Sequence, residues 1–426
     1  MTRRMLGIVD SDSFAKWGAS LLAALPDGWE TSLVAVNTAA TASDVQLSTA
    51  IRHASTGGRP VQRLSHQQVV DHIRRHRPDA VLVATRGPIA EVLIDAIIRK
   101  VPRRPVIVTG LPGISTPAKW KGLFLRARAD LFVLHSHREI REYRALAASH
   151  DMTHRFGLAT LPFLHAAGGI RSGHRRDSIV FAAQPTVPAG LEARRMLMGW
   201  LAETASAHPD VRVVVKIRAR NGEGQTHSEK HPYADLVPQD APSNLVVEGG
   251  SMMDQLERAI GFVTVSSTAT LEAIAHGVPS LVLADFGVSG KLINEVFMGS
   301  GLLGTSRDLI AARFKHVVPS WREDNYFHDA GDDDWSDQLD MLLTLRETSR
   351  LPERAAVRVS RGGPLRGAWE RKRAFGEHDR SLAGYLALVV GTPLRLARNA
   401  TSAVLPGPGR REAVDVVLAR AADDAV

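Results

Sequence analysis

Cysteine is absent from these 426 residues, which excludes a disulfide framework, thiolate metal ligands and a cysteine nucleophile. Long apolar runs are absent too: none approaches the roughly 18 residues that a membrane-spanning helix needs. The apolar stretch Met5–Val9 is cut short by Asp10 and Asp12, so no signal-peptide core forms and a cytoplasmic protein is the expectation. Aromatic residues make up only 5% of the chain, and no basic stripe alternates with them, so nucleic acid is not the expected partner. The N-terminal half lacks Gly-x-Gly-x-x-Gly, which argues against a nicotinamide cofactor. No His-Glu-x-x-His spacing occurs, and Asp332-Asp333-Asp334 reads as a solvated turn. Neither a metal nor any other cofactor is expected.

What is present is an excess of positive charge, formally +8. It points to anionic partners such as phosphorylated substrates or an anionic membrane surface. The length suffices for two domains with separate cores. Up to about residue 160, β-rich runs alternate with helical runs. The strand candidates are Leu6–Val9, Leu33–Val36, Ala80–Ala84, Val106–Val108 and Leu131–Leu134. Phe14, Trp17, Leu21 and Leu25 recur between them at helical spacing. A glycine-rich joint at Ala166–Asp177 precedes a second series, with strands at Ser178–Ala182, Val211–Lys216, Asn244–Val247, Gly261–Val265 and Ser280–Leu283. The expected organisation is an α/β domain over 1–170, another over 171–345, and a basic tail with short helices over 346–426.

The segment Phe262–Pro279 carries the most chemistry. A buried strand ends at Val265, and Ser266-Ser267-Thr268 stand where the next helix must begin. Ser267 or Thr268 can cap that helix, turning its first N–H groups toward an anion such as a phosphate. Glu272 lies about one turn further in, within reach of a ribose hydroxyl; Gly277 and Pro279 end the helix. Upstream, the strand ending at Lys216 runs into Arg218, Arg220, a Gly-containing loop, and then His231-Pro232. These cations suit a phosphate, and the glycines allow close backbone approach.

The Ser-Ser-Thr, Glu-Ala and Gly-x-Pro succession resembles the nucleotide-sugar region of GT-B glycosyltransferases, which have two Rossmann-like domains facing a cleft. His231-Pro232 with the downstream Ser266–Thr268 resembles the paired motifs of bacterial sialyltransferases, polysialyltransferases and capsule Kdo transferases. The resemblance implies that His231, Pro232, Ser266, Ser267 and Thr268 hold the donor nucleotide, and Lys216, Arg218 and Glu272, by their positions and chemistry, are expected at the same site. It implies a CMP-sugar first and a UDP-sugar second, with a cell-envelope glycan or a lipid-linked molecule as acceptor. It also implies a metal-independent reaction with the nucleotide-sugar as substrate. The segment Phe181–Thr186 resembles the first strand and loop of the nucleotide-binding domain in such enzymes. An epimerase or glycerophosphate transferase of the same fold, or a non-catalytic glycan- or lipid-binding protein, remains the alternative.

A glycosyl transfer also needs a base for the acceptor hydroxyl. Asp10 and Asp12 follow the first strand at its carboxyl end, where α/β proteins place their sites. The resembling families use an acidic residue in an early motif, which maps to Asp12 or Asp10; helix capping by Asp12 or Ser13 is the competing role. Arg86, Gly110 and Gly113 lie in loops expected to line the acceptor side. Finally, Trp120, Leu123, Phe124 and Ala127 form one helical stripe flanked by Lys119, Lys121, Arg126 and Arg128. That pattern suits either a membrane headgroup layer or packing on the N-terminal sheet.

Overall fold

The computed structural model describes residues 2–39, 41, 43–44, 47–48, 61–161, 164, 176–217, 230–354 and 363–389. Most of the glycine-rich joint, Arg218, Arg220, the loop 221–227 and everything beyond 389 lie outside the described residues. The chain divides into two compact units, one of Met1–Val36 with Ala40–Val357 and one of Asn37–Ala39 with Arg358–Val426.

The first unit contains two all-parallel sheets. In the first, β1 (Arg3–Val9), β2 (Trp29–Val36), β3 (Gln62–Leu64), β4 (Ala80–Ala84), β5 (Val106–Gly110), β6 (Leu131–Leu134) and β7 (Phe156–Leu158) pair in the order β3-β2-β1-β4-β5-β6-β7. In the second, β8 (Ser178–Ala182), β9 (Arg212–Lys216), β10 (Leu245–Glu248), β11 (Ala259–Thr264), β12 (Ser280–Leu283) and β13 (Leu303–Gly304) pair in the order β10-β9-β8-β11-β12-β13. The central strands read as unbroken apolar runs because helices cover both faces of a parallel sheet. All five residues of Ala80–Ala84 are buried, as are all five of Ser178–Ala182. Short edge strands β3, β7 and β13 escape the sequence pattern, since two or three residues carry no period.

Both sheets reverse direction beside their first strand, between β1 and β4 and between β8 and β11. Crevices open at such switch points, outside the carboxyl ends of the strands.

The first core is completed from far along the chain. The helix Trp335–Glu347 buries Trp335, Leu339, Leu342 and Leu343 against Met5, Val9, Val108 and Val133. Gly157 makes room for it: a Cβ there would lie 2.9 Å from the Trp335 backbone. Within the Asp332–Asp334 triplet, Asp333 and Asp334 work as a clamp, while Asp332 stays exposed in the turn. Leu158 N donates to Asp334 (2.6 Å), Thr160 N to Asp333 (2.9 Å), and His328 Nε2 lies 2.9 Å from Asp333.

A buried carboxylate joins the two halves. Glu139 stands in the first turn of the helix His137–Ala148 and is fully buried. It accepts from Ser115 N (2.7 Å), His135 N (2.9 Å) and the Tyr326 hydroxyl (2.5 Å). Tyr326 packs with Leu271, Ile274 and Val296 of the second half. Burial, then the Glu139 charge, pushes the Tyr326 phenol well above its ordinary value, so it remains a donor.

Within the stripe, Leu123 and Ala127 are buried and Trp120 and Phe124 partly so, as the packing reading requires. The helix covers only Trp120–Phe124, and Leu123 packs with Phe132 and Tyr143. Arg126 is 2% exposed, and Arg128 pairs with Asp95 and donates to Arg354 O (3.0 Å).

The second unit has a helix over Gly363–Phe375, where Lys372 Nζ donates to Asp379 O (2.6 Å) and Arg371 pairs with Asp379 (3.0 Å). Among the described residues, no helix is long and apolar enough to cross a membrane.

Glu139→Ala would leave Ser115 N, His135 N and the Tyr326 hydroxyl without their acceptor. Three buried donors at about 1–3 kcal/mol each make it among the most destabilising single changes in the first unit. Thermal unfolding should show a drop several-fold larger than that of the exposed Glu192→Ala; equal midpoints would refute the role of this carboxylate.

Candidate functional site

The first crevice is built on a salt bridge. Asp10 follows β1 and Arg86 follows β4, so the topology brings two separately expected residues together. Arg86 Nε donates to Asp10 Oδ2 (2.8 Å), and Arg86 N lies 3.3 Å from both carboxylate oxygens. The Asp10 carboxylate is fully buried, whereas the Arg86 side chain is 41% exposed. Asp12 stands apart from this pair as the first residue of the helix Asp12–Ala23, with an i,i+4 ion pair to Lys16 (2.9 Å). Ser11 takes the N-cap position.

Arg126 lies behind them, a residue the sequence places in a quite different role. It donates to Thr85 O (2.8 Å), and its guanidinium carbon sits 5.9 Å from the Phe14 ring centre. Its Nε is buried with no hydrogen-bond partner among the described residues. Burial pushes Arg126 down to about 10, with Tyr143 and the Asp10 carboxylate pulling the other way.

The two glycines expected on the acceptor side separate. Gly110 serves packing: a Cβ there would meet Trp17 at 2.5 Å and Val133 O at 2.7 Å. Trp17 Nε1 donates to His135 Nε2 (2.7 Å), and His135 Nδ1 lies 2.8 Å from Ala159 O. Burial lowers the His135 pKa, so the ring is neutral with its proton on Nδ1. Leu111 O, 3.1 Å from Nε2, is then a neighbour rather than an acceptor. Gly113 faces the other half, its Cβ position 3.9 Å from Thr268 Cγ2. The loop after β5 therefore meets the Ser-Ser-Thr cluster across the cleft.

The second crevice repeats the first with neutral groups. Gln184 follows β8, and its Nε2 donates to Ser266 O (3.1 Å) after β11. Thr264 Oγ1 accepts from Ser267 N (3.1 Å) and donates to Ala182 O (3.1 Å), which holds the turn against the neighbouring strand. Thr268 holds the N-cap position of the short helix Ala269–Ala275 without a side-chain bond, and the hydroxyl that satisfies its first N–H is that of Ser267, whose Oγ accepts from Ala269 N (3.2 Å). Thr268 is exposed and turned to the cleft. Gly277, at φ +66°, ends the helix in the left-handed region. Ser266 is 4% exposed, and its Oγ has no hydrogen-bond partner among the described residues. The same holds for Gln184 Oε1.

Around this turn, Lys216 ends β9 with its Nζ donating to Ile217 O (2.6 Å). Glu272 is half-buried in the short helix. His231 and Pro232 lead into a helical turn at Tyr233–Leu236. The residue that orders this edge was not among the expected ones: Arg194 Nη1 donates to His231 O (2.6 Å) and Arg194 Nη2 to Gln184 O (2.9 Å). One signal was available, since Arg194 stands at helical spacing with the buried Leu197, Met198 and Leu201.

The model of the family described as "Putative glycosyltransferase (DUF6716)" matches residues 5–342. No curated protein matches the sequence. Several solved structures share its architecture at low identity. The UDP-GlcNAc 2-epimerase from Neisseria meningitidis bound to UDP-GlcNAc is 14% identical, with a TM-score of 0.51 over 81% of this chain and 100% of that one. The S. aureus MnaA–UDP co-structure is 13% identical, with a TM-score of 0.52 over 83% and 99%. The UDP-GlcNAc 2-epimerase from Methanocaldococcus jannaschii is 11% identical, with a TM-score of 0.53 over 80% and 99%. At such identities the likeness concerns the fold: two Rossmann-like domains facing a cleft, the GT-B arrangement.

Gly110→Ala should lower the thermal midpoint, because the added methyl must displace the Trp17 ring or the Val133 carbonyl; overpacking of this kind costs about 1–3 kcal/mol. Gly113→Ala, with 3.9 Å of clearance, should leave the midpoint within about 0.5 kcal/mol of the parent. Differential scanning calorimetry of the two variants checks the contrast, and equal losses would contradict the packing described.

Proposed function

This chain belongs to the family described as "Putative glycosyltransferase (DUF6716)", and on that premise we propose that it moves a sugar from a nucleotide-activated donor to a cell-envelope glycan or lipid-linked acceptor without a metal ion. The observation that carries this reading is the buried Ser266 Oγ, unpartnered among the described residues at the switch point of the second sheet. A buried hydroxyl without a partner is costly, by about 1–3 kcal/mol, unless a ligand completes it. Gln184 Oε1, beside it, is in the same position. A phosphate accepting from Ser266 and a sugar hydroxyl or a base N–H donating to Gln184 would complete both.

On this reading Lys216, Arg218 and His231-Pro232 hold the nucleotide together with Ser267 and Thr268, and Glu272 takes a ribose hydroxyl. Asp10 is engaged by Arg86 and orients that cation toward the acceptor. Asp12 is the better base. Its i,i+4 partner Lys16 contributes only about 0.2–0.5 kcal/mol, so the carboxylate is readily released to take the acceptor hydroxyl's proton. Departure of the nucleotide and attack by the deprotonated acceptor then share one cleft, across which Gly113 already faces Thr268.

The motif pairing favours a CMP-linked donor. The neighbours whose descriptions name UDP or UDP-GlcNAc favour a uridine donor and supply the second reading, a nucleotide-sugar epimerase. Thermal-shift titration with CMP, UDP, GDP and CDP separates these, since a ligand at a hundred times its Kd stabilises by about 2.7 kcal/mol. Stabilisation by CMP alone supports the first reading, and stabilisation by UDP alone transfers it to a uridine donor. Conversion of a nucleotide-sugar without acceptor, followed by NMR, would establish the epimerase instead. Silence toward all four nucleotides would overturn the transferase reading in favour of a binding protein.

Ser266→Ala and His231→Ala should each weaken nucleotide affinity by about 1.5–3 kcal/mol, roughly ten- to a hundredfold, by calorimetric titration. Ser266→Ala should leave the melting temperature of the unliganded chain no lower than the parent's, and raise it if anything, because its Oγ holds nothing in the fold and its desolvation cost is removed. Undiminished affinity in both would place the nucleotide elsewhere.

A further inference from the structure

Arg194 is a guanidinium only 1% exposed, near the start of the 17-residue helix Leu191–Ala207. Two local rules oppose it there. Burying a cation costs several kcal/mol, and the N-terminal end of a helix repels positive charge. The side chain is nevertheless held on every side by main-chain carbonyls. Nε donates to Pro188 O (2.8 Å), Nη1 to His231 O (2.6 Å), and Nη2 to Gln184 O (2.9 Å) and Pro185 O. Its guanidinium carbon lies 4.6 Å from the centre of the buried Tyr233 ring, which packs edge-on against Phe181 of β8.

These acceptors come from two stretches of chain that nothing in sequence joins, the loop after β8 and the His231-Pro232 turn. The first borders the crevice through the Gln184–Ser266 hydrogen bond, and Arg194 ties the second to it. We infer that Arg194 is the positioning residue of the donor crevice: its planar fork fixes the Gln184 loop and the His231 turn in one geometry. Its buried charge also raises the potential where an anionic ligand would sit. The inference rests on the donor-site reading above and adds to it. Arg194 touches no ligand itself; it acts through the main chain of Gln184 and His231. Lysine cannot replace it, because a single ammonium cannot reach carbonyls spread around a planar fork.

The test compares Arg194→Lys with Leu197→Ala, a cavity variant one turn further along the same buried face. Both are titrated calorimetrically with whichever nucleotide the parent binds, and both are melted. Arg194→Lys should bind roughly tenfold or more weakly. Leu197→Ala should lose as much thermal stability or more yet bind within about twofold of the parent. Tyr233→Leu keeps the cation and removes the ring beneath it. It should weaken binding by a smaller factor, and it serves as the probe should Arg194→Lys fail to fold. If affinity follows melting temperature equally in all three, the role is structural and the inference falls. Parent-like affinity in Arg194→Lys or, where that variant does not fold, in Tyr233→Leu overturns it as well. A parent chain that binds no nucleotide refutes the donor-site reading, a separate failure visible before any variant is made.

Discussion

Every strand of both sheets runs parallel to its neighbours, and that single constraint organises the rest. Parallel pairing sends each strand's carboxyl end to the same edge, so the loops that leave the strands gather there. At the two points where the strand order reverses, the loops diverge and leave a crevice. Asp10 and Arg86 meet at one, and Gln184 and Ser266 at the other. The same topology thus yields a charged crevice in one half and a neutral, hydroxyl-rich one in the other.

The halves are held to each other by polar groups rather than by apolar area alone. Glu139 gathers donors from the loop after β5, from the end of β6 and from Tyr326 of the second half. A hydrogen-bonded carboxylate in that position is directional, whereas an apolar contact would tolerate sliding. The Asp333 and Asp334 clamp on Leu158 and Thr160 adds a second directional tie, where the returning chain crosses the edge of the first sheet. Together they set the register in which Gly113 looks onto Thr268.

Two buried arginines carry an argument about cost. Arg126 behind the first crevice and Arg194 behind the second are both almost wholly buried, and both are fastened to main-chain carbonyls. Stability alone does not explain a buried cation, since an apolar residue of similar size is often as good or better. Places where a local rule is broken tend to be functional. Both arginines donate to main-chain carbonyls of loops that leave the carboxyl ends of the strands.

How much of this was legible beforehand follows from the physics of each feature. The central strands, the two-series organisation and the Ser266–Thr268 turn could be read because apolar runs and helix-start signals are local. The edge strands were too short to show a period, and the stripe at Trp120–Ala127 read equally as surface or core, because periodicity marks a face without saying what covers it. The Asp332–Asp334 triplet looked like a solvated turn, and Asp332 is one, but Asp333 and Asp334 proved to be a clamp, because their partners lie about 170 residues upstream. The amino-acid sequence by itself determined which segments form strands and helices, and which hydroxyl, imidazole and carboxylate groups stand at their ends. Only the tertiary structure decided that Asp10 pairs with Arg86, that Gly110 yields its space to Trp17, and that Arg194 binds two distant loops. The physical reason is that such contacts join residues far apart in sequence, and their geometry exists only once the parallel sheets have brought the strand ends to one edge.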